Sequence, residues 1–103
     1  MALRTVYCPT EILEAFIDLS RSNTDKSVET CGILAGREVN KGDSLLIDTL
    51  IIPLQEGYVD RCLMTDELSL FETQINQKVM TIGWIHSHPT YVRIILINLR
   101  TSS

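Results

Sequence analysis

The sequence has little positive charge, few histidines and cysteines, and no long apolar run. Its 103 residues hold 9 Lys and Arg against 13 Asp and Glu, so the net charge is −4 and no basic patch favours a nucleic-acid partner. No apolar stretch approaches the roughly 20 residues of a membrane span, and no signal-peptide core opens the chain. With 45% apolar and 21% charged residues, the composition is typical of one globular domain without membrane insertion.

Cysteine is scarce as well. Cys8, Cys31 and Cys62 are an odd number of thiols at wide spacing, which is unlike a disulfide framework. The pattern predicts three unpaired cysteines that act as small buried apolar residues, in a reducing compartment such as the cytoplasm.

Apolar periodicity indicates the secondary structure. Apolar residues recur at three- and four-residue spacing over 10–21 and 65–78, and each stretch is predicted to be an amphipathic helix. The second helix is predicted to be capped by Thr65 and to bury a stripe formed by Leu68, Phe71 and Ile75. Apolar and β-branched runs predict strands near 1–8, 28–36, 44–52 and 80–88. A turn is predicted near 40–42, and 55–62 is predicted to be mostly loop with room for one short strand. This order predicts a mixed α/β domain with its strands in one sheet.

Both histidines lie in one stretch, Gly-Trp-Ile-His-Ser-His-Pro-Thr at 83–90. Side chains two apart on a strand project from the same face, so His86 and His88 are predicted to lie side by side where Pro89 ends the strand. Neutral imidazole is a good zinc ligand, and two imidazoles make half of a tetrahedral site. A bare His-x-His also arises by chance, and such a pair can simply hydrogen-bond to backbone.

Glu29 stands at the entrance of the strand predicted over 28–36. A hydrolytic zinc site has three protein ligands, an open position for water and often a nearby carboxylate base. Glu29 could be that base. The residues alone leave open the alternative of a solvated surface glutamate.

Two stretches carry a family resemblance. Glu-Thr-Cys-Gly-Ile-Leu-Ala-Gly at 29–36 resembles the first motif of the JAMM (MPN+) metalloproteases, and 83–90 resembles the second. The residues of both motifs are most similar to those of the AMSH-type branch, and the likeness runs from about residue 10 to Thr90. The resemblance implies a mixed α/β fold, with a JAMM/MPN-like (cytidine-deaminase-like) sheet flanked by helices.

The resemblance also implies a chemistry. The family consists of zinc-dependent deubiquitinases, and the AMSH-type branch cleaves ubiquitin chains linked through lysine sixty-three on endosomal cargo. By this likeness His86 and His88 are ligands of one catalytic zinc, and Glu29 is the general base that takes a proton from the zinc-bound water and passes it to the departing lysine amine. The implied partners are ubiquitin or polyubiquitin chains and ESCRT-type endosomal proteins. The implied location is cytoplasmic and endosome-associated.

The likeness stops after Thr90. In the family, the second histidine is followed by seven residues, a serine, two residues and an aspartate, which is the third zinc ligand. Leu96 and Leu99 occupy these two positions here. We therefore expect 1–90 to be the amino-terminal half of an MPN/JAMM domain, truncated after the His-x-His-Pro motif and incomplete at its C-terminal end. We expect 91–103 to be a divergent apolar tail.

Three interpretations follow. The first is an AMSH-like zinc metalloprotease domain that cleaves ubiquitin isopeptide bonds, with zinc binding and activity reduced or lost in this chain. The second is a non-catalytic MPN-like module that binds ubiquitin or another partner. A small structural protein with an incidental histidine pair is a third, which two matching motifs disfavour. The apolar tail over 91–99 either pairs as a substitute edge strand or is exposed to aggregation.

Overall fold

The computed structural model describes residues 3–88, 90–97, 99 and 100. Within them the elements are β1 (Thr5–Tyr7), α1 (Thr10–Asp25), β2 (Cys31–Val39), β3 (Ser44–Ile51), β4 (Gln55–Gly57), β5 (Cys62–Met64), α2 (Glu67–Gln77), β6 (Met80–His88) and β7 (Tyr91–Leu96). In this part of the chain no helix combines the length and the apolar character needed to cross a membrane. The predicted strand end at Pro89 lies outside the described residues, and β6 extends to His88.

Five strands form one mixed sheet in the order β1-β3-β2-β6-β7, and β4 pairs with β5 in a separate ribbon. The central strand β2 runs antiparallel to both β3 and β6, while β1 runs parallel to β3. The predicted α/β class is confirmed, and the strands predicted near 28–36, 44–52 and 80–88 do share one sheet. The ribbon lies where mostly loop was predicted, because its strands have only three residues each and show no clear alternation.

Helix α1 covers one face of the sheet. Its Phe16 is fully buried, and the core around it consists of Leu34, Leu45, Ile47, Ile82 and Ile85. Ile12 and Leu13 from the same helix pack against this cluster. His86 follows the core residue Ile85 on its strand, so its side chain projects from the face away from α1. His88 lines a cavity together with Ser20 and Arg21 of α1.

Helix α2 departs from its prediction. Leu68, Phe71 and Ile75, the predicted buried stripe, are 68%, 59% and 58% exposed. The reason is that α2 meets the sheet near the start of β6, where the Gln74 amide hydrogen-bonds to the Thr81 hydroxyl, and does not lie across a sheet face. The predicted burial of this stripe is therefore wrong.

The cap of α2 also differs by one residue. Asp66, not Thr65, is the N-cap, and its carboxylate accepts a hydrogen bond from the Ser69 backbone N–H at 3.0 Å. This is the usual N-cap bond, and aspartate makes it at least as well as threonine.

Strand β7 pairs antiparallel with β6, so the apolar tail becomes an edge strand. Tyr91 lies opposite His88, and Leu96 lies opposite Gly83. Beyond β7 the chain approaches the other end of the sheet, where the Arg4 N–H donates to the Leu99 carbonyl at 2.6 Å. The tail thus runs away from the histidines.

Candidate active site

Glu29 and His86 meet at the entrance of β2. The Glu29 Oε1 atom is 3.3 Å from His86 Nδ1, although more than fifty positions separate the two residues. The register pairs Cys31 with His86, so Glu29, two residues earlier, falls on the same sheet face as the histidine. The Glu29 side chain is only 8% exposed, which removes the alternative of a solvated surface glutamate. The roles of base and metal ligand remain predictions.

The ring nitrogens of both histidines need bonding partners. Nδ1 of His86 and Nδ1 of His88 are buried and make no hydrogen bond to the residues described. The contact of His86 with Glu29 is within ion-pair distance but is not aligned as a hydrogen bond. Because buried polar atoms in proteins are nearly always bonded, these nitrogens indicate a place for an ion or for water.

Zinc fits this donor set in part. Imidazole and carboxylate are usual zinc ligands, and a hydrolytic site takes three of them from the protein. Over 3–88, 90–97 and 99–100, however, no three His, Cys, Asp or Glu side chains are grouped to hold one ion. The residues described do not complete a hydrolytic zinc site.

The two leucines at the family's serine and aspartate positions lie elsewhere. Leu96 is opposite Gly83 and packs against the core on the α1 side. His86 is opposite Arg93, three residues before Leu96, so the His86 and Leu96 side chains project from different faces. The two positions therefore hold leucine in place of the family's serine and aspartate, and they also lie away from the histidines.

Ser87 ties the two motif strands together. Its backbone N–H donates to the Thr30 carbonyl at 2.9 Å, and its hydroxyl accepts from the Thr30 N–H at 3.0 Å. The Asn23 amide donates to the Thr30 hydroxyl at 2.8 Å and anchors the same segment to α1. Motif reasoning assigned Ser87 no role, because only the register reveals that it faces Thr30.

The β4–β5 ribbon flanks the other edge of the segment that holds Glu29. The Glu29 N–H donates to the Tyr58 carbonyl at 2.8 Å, and the Gln55 side-chain amide bonds to the Cys31 backbone. Gly57 approaches so closely that a Cβ atom there would be 2.6 Å from the Glu29 carbonyl oxygen. Sequence reasoning allowed one short strand over 55–62 but did not predict the paired ribbon or its contacts with Glu29 and Cys31.

Cys31 and Cys62 form a disulfide with a Cα–Cα distance of 6.1 Å, within the usual range. The prediction that all three cysteines are unpaired is therefore wrong. The physical reason is that β5 docks beside the β2 entrance and brings Cys62 next to Cys31. Cys8 is free, and burial raises the pKa of its thiol.

Two tyrosines border the site. Tyr91 stacks on His88 with ring centroids 4.5 Å apart and an interplanar angle of 11°, which restrains the imidazole plane. The Tyr58 hydroxyl donates to the Glu56 carboxylate at 2.8 Å, and this hydrogen bond, together with the negative charge of Glu56, raises the pKa of Tyr58.

Comparison with known proteins assigns the chain to a family. The family described as JAB1/Mov34/MPN/PAD-1 ubiquitin protease matches residues 1–102. The chain is 48% identical over 88 residues to AMSH-like protease sst2 of Schizosaccharomyces pombe, covering 85% of this chain and 20% of that protein. It is 45% identical over 85 residues to AMSH-like ubiquitin thioesterase 1 of Arabidopsis thaliana, covering 82% of this chain and 16% of that protein.

A third relative is STAM-binding protein-like of Xenopus laevis, 41% identical over 88 residues that make up 85% of this chain and 21% of that protein. The chain thus spans about a fifth of the length of these relatives. The family match covers nearly the whole chain, and two of the three relatives are named as AMSH-like proteins. The chain therefore belongs to the JAB1/Mov34/MPN/PAD-1 ubiquitin protease family, in its AMSH-type branch.

Proposed function

We propose that this chain carries the general base and two metal-binding imidazoles of an AMSH-like ubiquitin isopeptidase that acts on lysine-sixty-three-linked chains. The observation that carries the proposal is the 3.3 Å contact between Glu29 and His86, beside two buried ring nitrogens that have no hydrogen bond among the described residues. Relatives named as ubiquitin thioesterases support ubiquitin as the substrate.

Glu29 is the group that moves protons in this proposal. Its enclosed carboxylate accepts a proton from a water molecule at the His86 side, and the resulting hydroxide adds to the isopeptide carbonyl. The proton then passes to the lysine amine as the C–N bond breaks, which leaves a carboxylic acid on ubiquitin and a free amine on the lysine. The acid then gives up its proton, so that the final products are a carboxylate and a lysine ammonium group. Because the described residues do not complete a hydrolytic zinc site, we propose that this chain alone binds zinc weakly and hydrolyses slowly or not at all.

The second candidate is a non-catalytic module that binds ubiquitin or a partner. The placement of Leu96 and Leu99 away from the histidines favours it. The Xenopus relative is named for binding STAM, and this supports an ESCRT-type endosomal partner and a cytoplasmic, endosome-associated location as parts of the same proposal. The division into a family half over 1–90 and a divergent tail over 91–103 also remains a proposal.

Zinc analysis and a cleavage assay test these proposals together. The purified chain and its Glu29→Gln variant are assayed for bound zinc, for cleavage of lysine-sixty-three-linked diubiquitin with and without chelator, and for ubiquitin binding by NMR. We expect substoichiometric zinc, near-background cleavage that Glu29→Gln barely changes, and measurable ubiquitin binding.

The outcomes separate the candidates. Stoichiometric zinc with chelator-sensitive cleavage that Glu29→Gln abolishes would overturn the low-activity proposal and establish the enzyme. If neither cleavage nor ubiquitin binding is detected, the assignment of ubiquitin itself is wrong for this chain.

A further inference from the structure

The edge of β2 that pairs with β3 has no partner strand beside the site. The register between β2 and β3 ends with Ile33 opposite Ile51, and its continuation places Pro53 opposite Cys31. Proline has no backbone N–H and cannot donate to the carbonyl across from it. The backbone groups of Cys31 that face this edge would therefore be left unpaired at a half-buried position two residues from Glu29.

The side-chain amide of Gln55 fills this gap. Its Oε1 accepts from the Cys31 N–H at 2.7 Å, and its Nε2 donates to the Cys31 carbonyl at 2.7 Å. The same Nε2 also donates to the Pro53 carbonyl at 3.0 Å. A carboxamide offers one carbonyl acceptor and two N–H donors, so all of its hydrogen-bonding groups are used here. The Gln55 amide thus takes the place of the backbone peptide group that a neighbouring strand would otherwise present to Cys31.

We infer that Gln55 is a positioning residue that fixes the β2 entrance and so directs the Glu29 carboxylate toward His86. This inference rests on the proposed role of Glu29 as the base. The geometry is specific because Cys31 is opposite His86 in the next strand, and Glu29 contacts that same histidine. A displacement of the Cys31 backbone therefore moves Glu29 relative to His86.

The test compares two substitutions at Gln55 with a matched control. Gln55→Met keeps the length of the side chain but removes both bonds to Cys31, whereas Gln55→Glu keeps the acceptor for the Cys31 N–H and loses the donor. Gln74→Met removes another half-buried amide, the one that bonds to Thr81, outside the Glu29 segment. Each ¹⁵N-labelled protein is examined at about pH 8, above the ordinary imidazole pKa.

Two signals are read in each variant: hydrogen exchange at the Cys31 N–H and the imidazole nitrogen shifts of the two histidines. In Gln55→Met we expect Cys31 exchange to rise at least tenfold and the His86 nitrogens to move toward free-imidazole values, while His88 stays within its original range. In Gln55→Glu we expect Cys31 exchange to stay within about threefold of wild type, since its acceptor remains. Gln74→Met should leave both signals unchanged.

The inference is overturned if His86 is unmoved in Gln55→Met, if Gln74→Met moves it equally, or if Gln55→Glu loses protection at Cys31. Should Gln55→Met fail to fold, Gln55→Glu decides alone. Because it loses the donor to the Cys31 carbonyl, we expect its His86 nitrogens to move toward free-imidazole values, and an unmoved His86 overturns the inference. None of these readouts depends on ubiquitin cleavage. A chain that responds as expected but neither binds nor cleaves ubiquitin would refute the proposed function and leave the positioning role intact.

Discussion

Introducing the family's serine and aspartate at positions 96 and 99 should not restore a zinc site, and the register between β6 and β7 explains why. Tyr91 starts β7 opposite His88, and Leu96 lies opposite Gly83, five residues further along. At about 3.3 Å per residue, Leu96 is about 17 Å from the histidine end, and Leu99 lies beyond it. Bonds from zinc to carboxylate oxygen are about 2 Å long. An aspartate introduced at position 99 therefore cannot join His86 and His88 around one ion.

The double variant Leu96→Ser/Leu99→Asp is thus expected to bind no more zinc than the parent chain and to gain no isopeptidase activity. It should also be less stable, because Leu96 packs against the core. Loss of a partly buried leucine side chain to serine costs about 1–3 kcal/mol.

Arg93 offers the matched positive control. It lies directly opposite His86 on the same sheet face, where Cβ atoms are about 5 Å apart. R93D should therefore place a carboxylate beside the imidazoles and tighten zinc binding at least tenfold. Zinc affinity is measured by competition with a chromogenic chelator, and cleavage is measured on diubiquitin. If Leu96→Ser/Leu99→Asp binds zinc as tightly as R93D, the β6–β7 register and the reasoning built on it are wrong.

Three further predictions follow from burial and pairing. Phe16→Ala should lower the free energy of unfolding by about 3–5 kcal/mol, because its side chain is fully buried. Phe71→Ala should lower it by less than about 1 kcal/mol, because the Phe71 side chain is 59% exposed. Urea denaturation compares the two variants, and equal losses would show that another element covers α2. Cys62→Ser should cost about 2–4 kcal/mol relative to the oxidised chain and nothing relative to the reduced one, which denaturation with and without reductant measures. Tyr58 should ionise above its ordinary pKa of 10.0 in an ultraviolet titration, and Glu56→Gln should lower that midpoint. Because folding raises this pKa, its contribution to stability is present below about pH 10 and is lost as pH rises through the folded value.

Much of the fold could be predicted from pattern. The long strands and both helices have clear periods of two or of about 3.6, so their types follow from spacing. The alternation of side chains on a strand likewise predicts that His86 and His88 share a face. The contact between Glu29 and His86 agrees with the expectation drawn from two separate motifs.

The rest depends on pairings that spacing does not encode. An amphipathic stripe shows that a helix has an apolar face, but not whether another element covers it, and α2 leaves Phe71 exposed. The disulfide between Cys31 and Cys62 joins positions 31 apart through a ribbon too short to show a period. The role of Gln55 depends on which residue faces Pro53 across the sheet, and this is known only once the register is known.

The hydrogen bonds between Thr30 and Ser87 have a consequence for synthesis of the chain. They join residues 57 positions apart, so the half of the site that carries Glu29 leaves the ribosome well before the half that carries the histidines. At translation rates of about 5–20 residues per second, that interval is roughly 3–11 s. During it the central strand β2 has no β6 beside it, and one apolar edge is open to pairing with other chains. Slower elongation between these two strands should therefore increase aggregation of the nascent chain, and binding by a chaperone in that interval should reduce it.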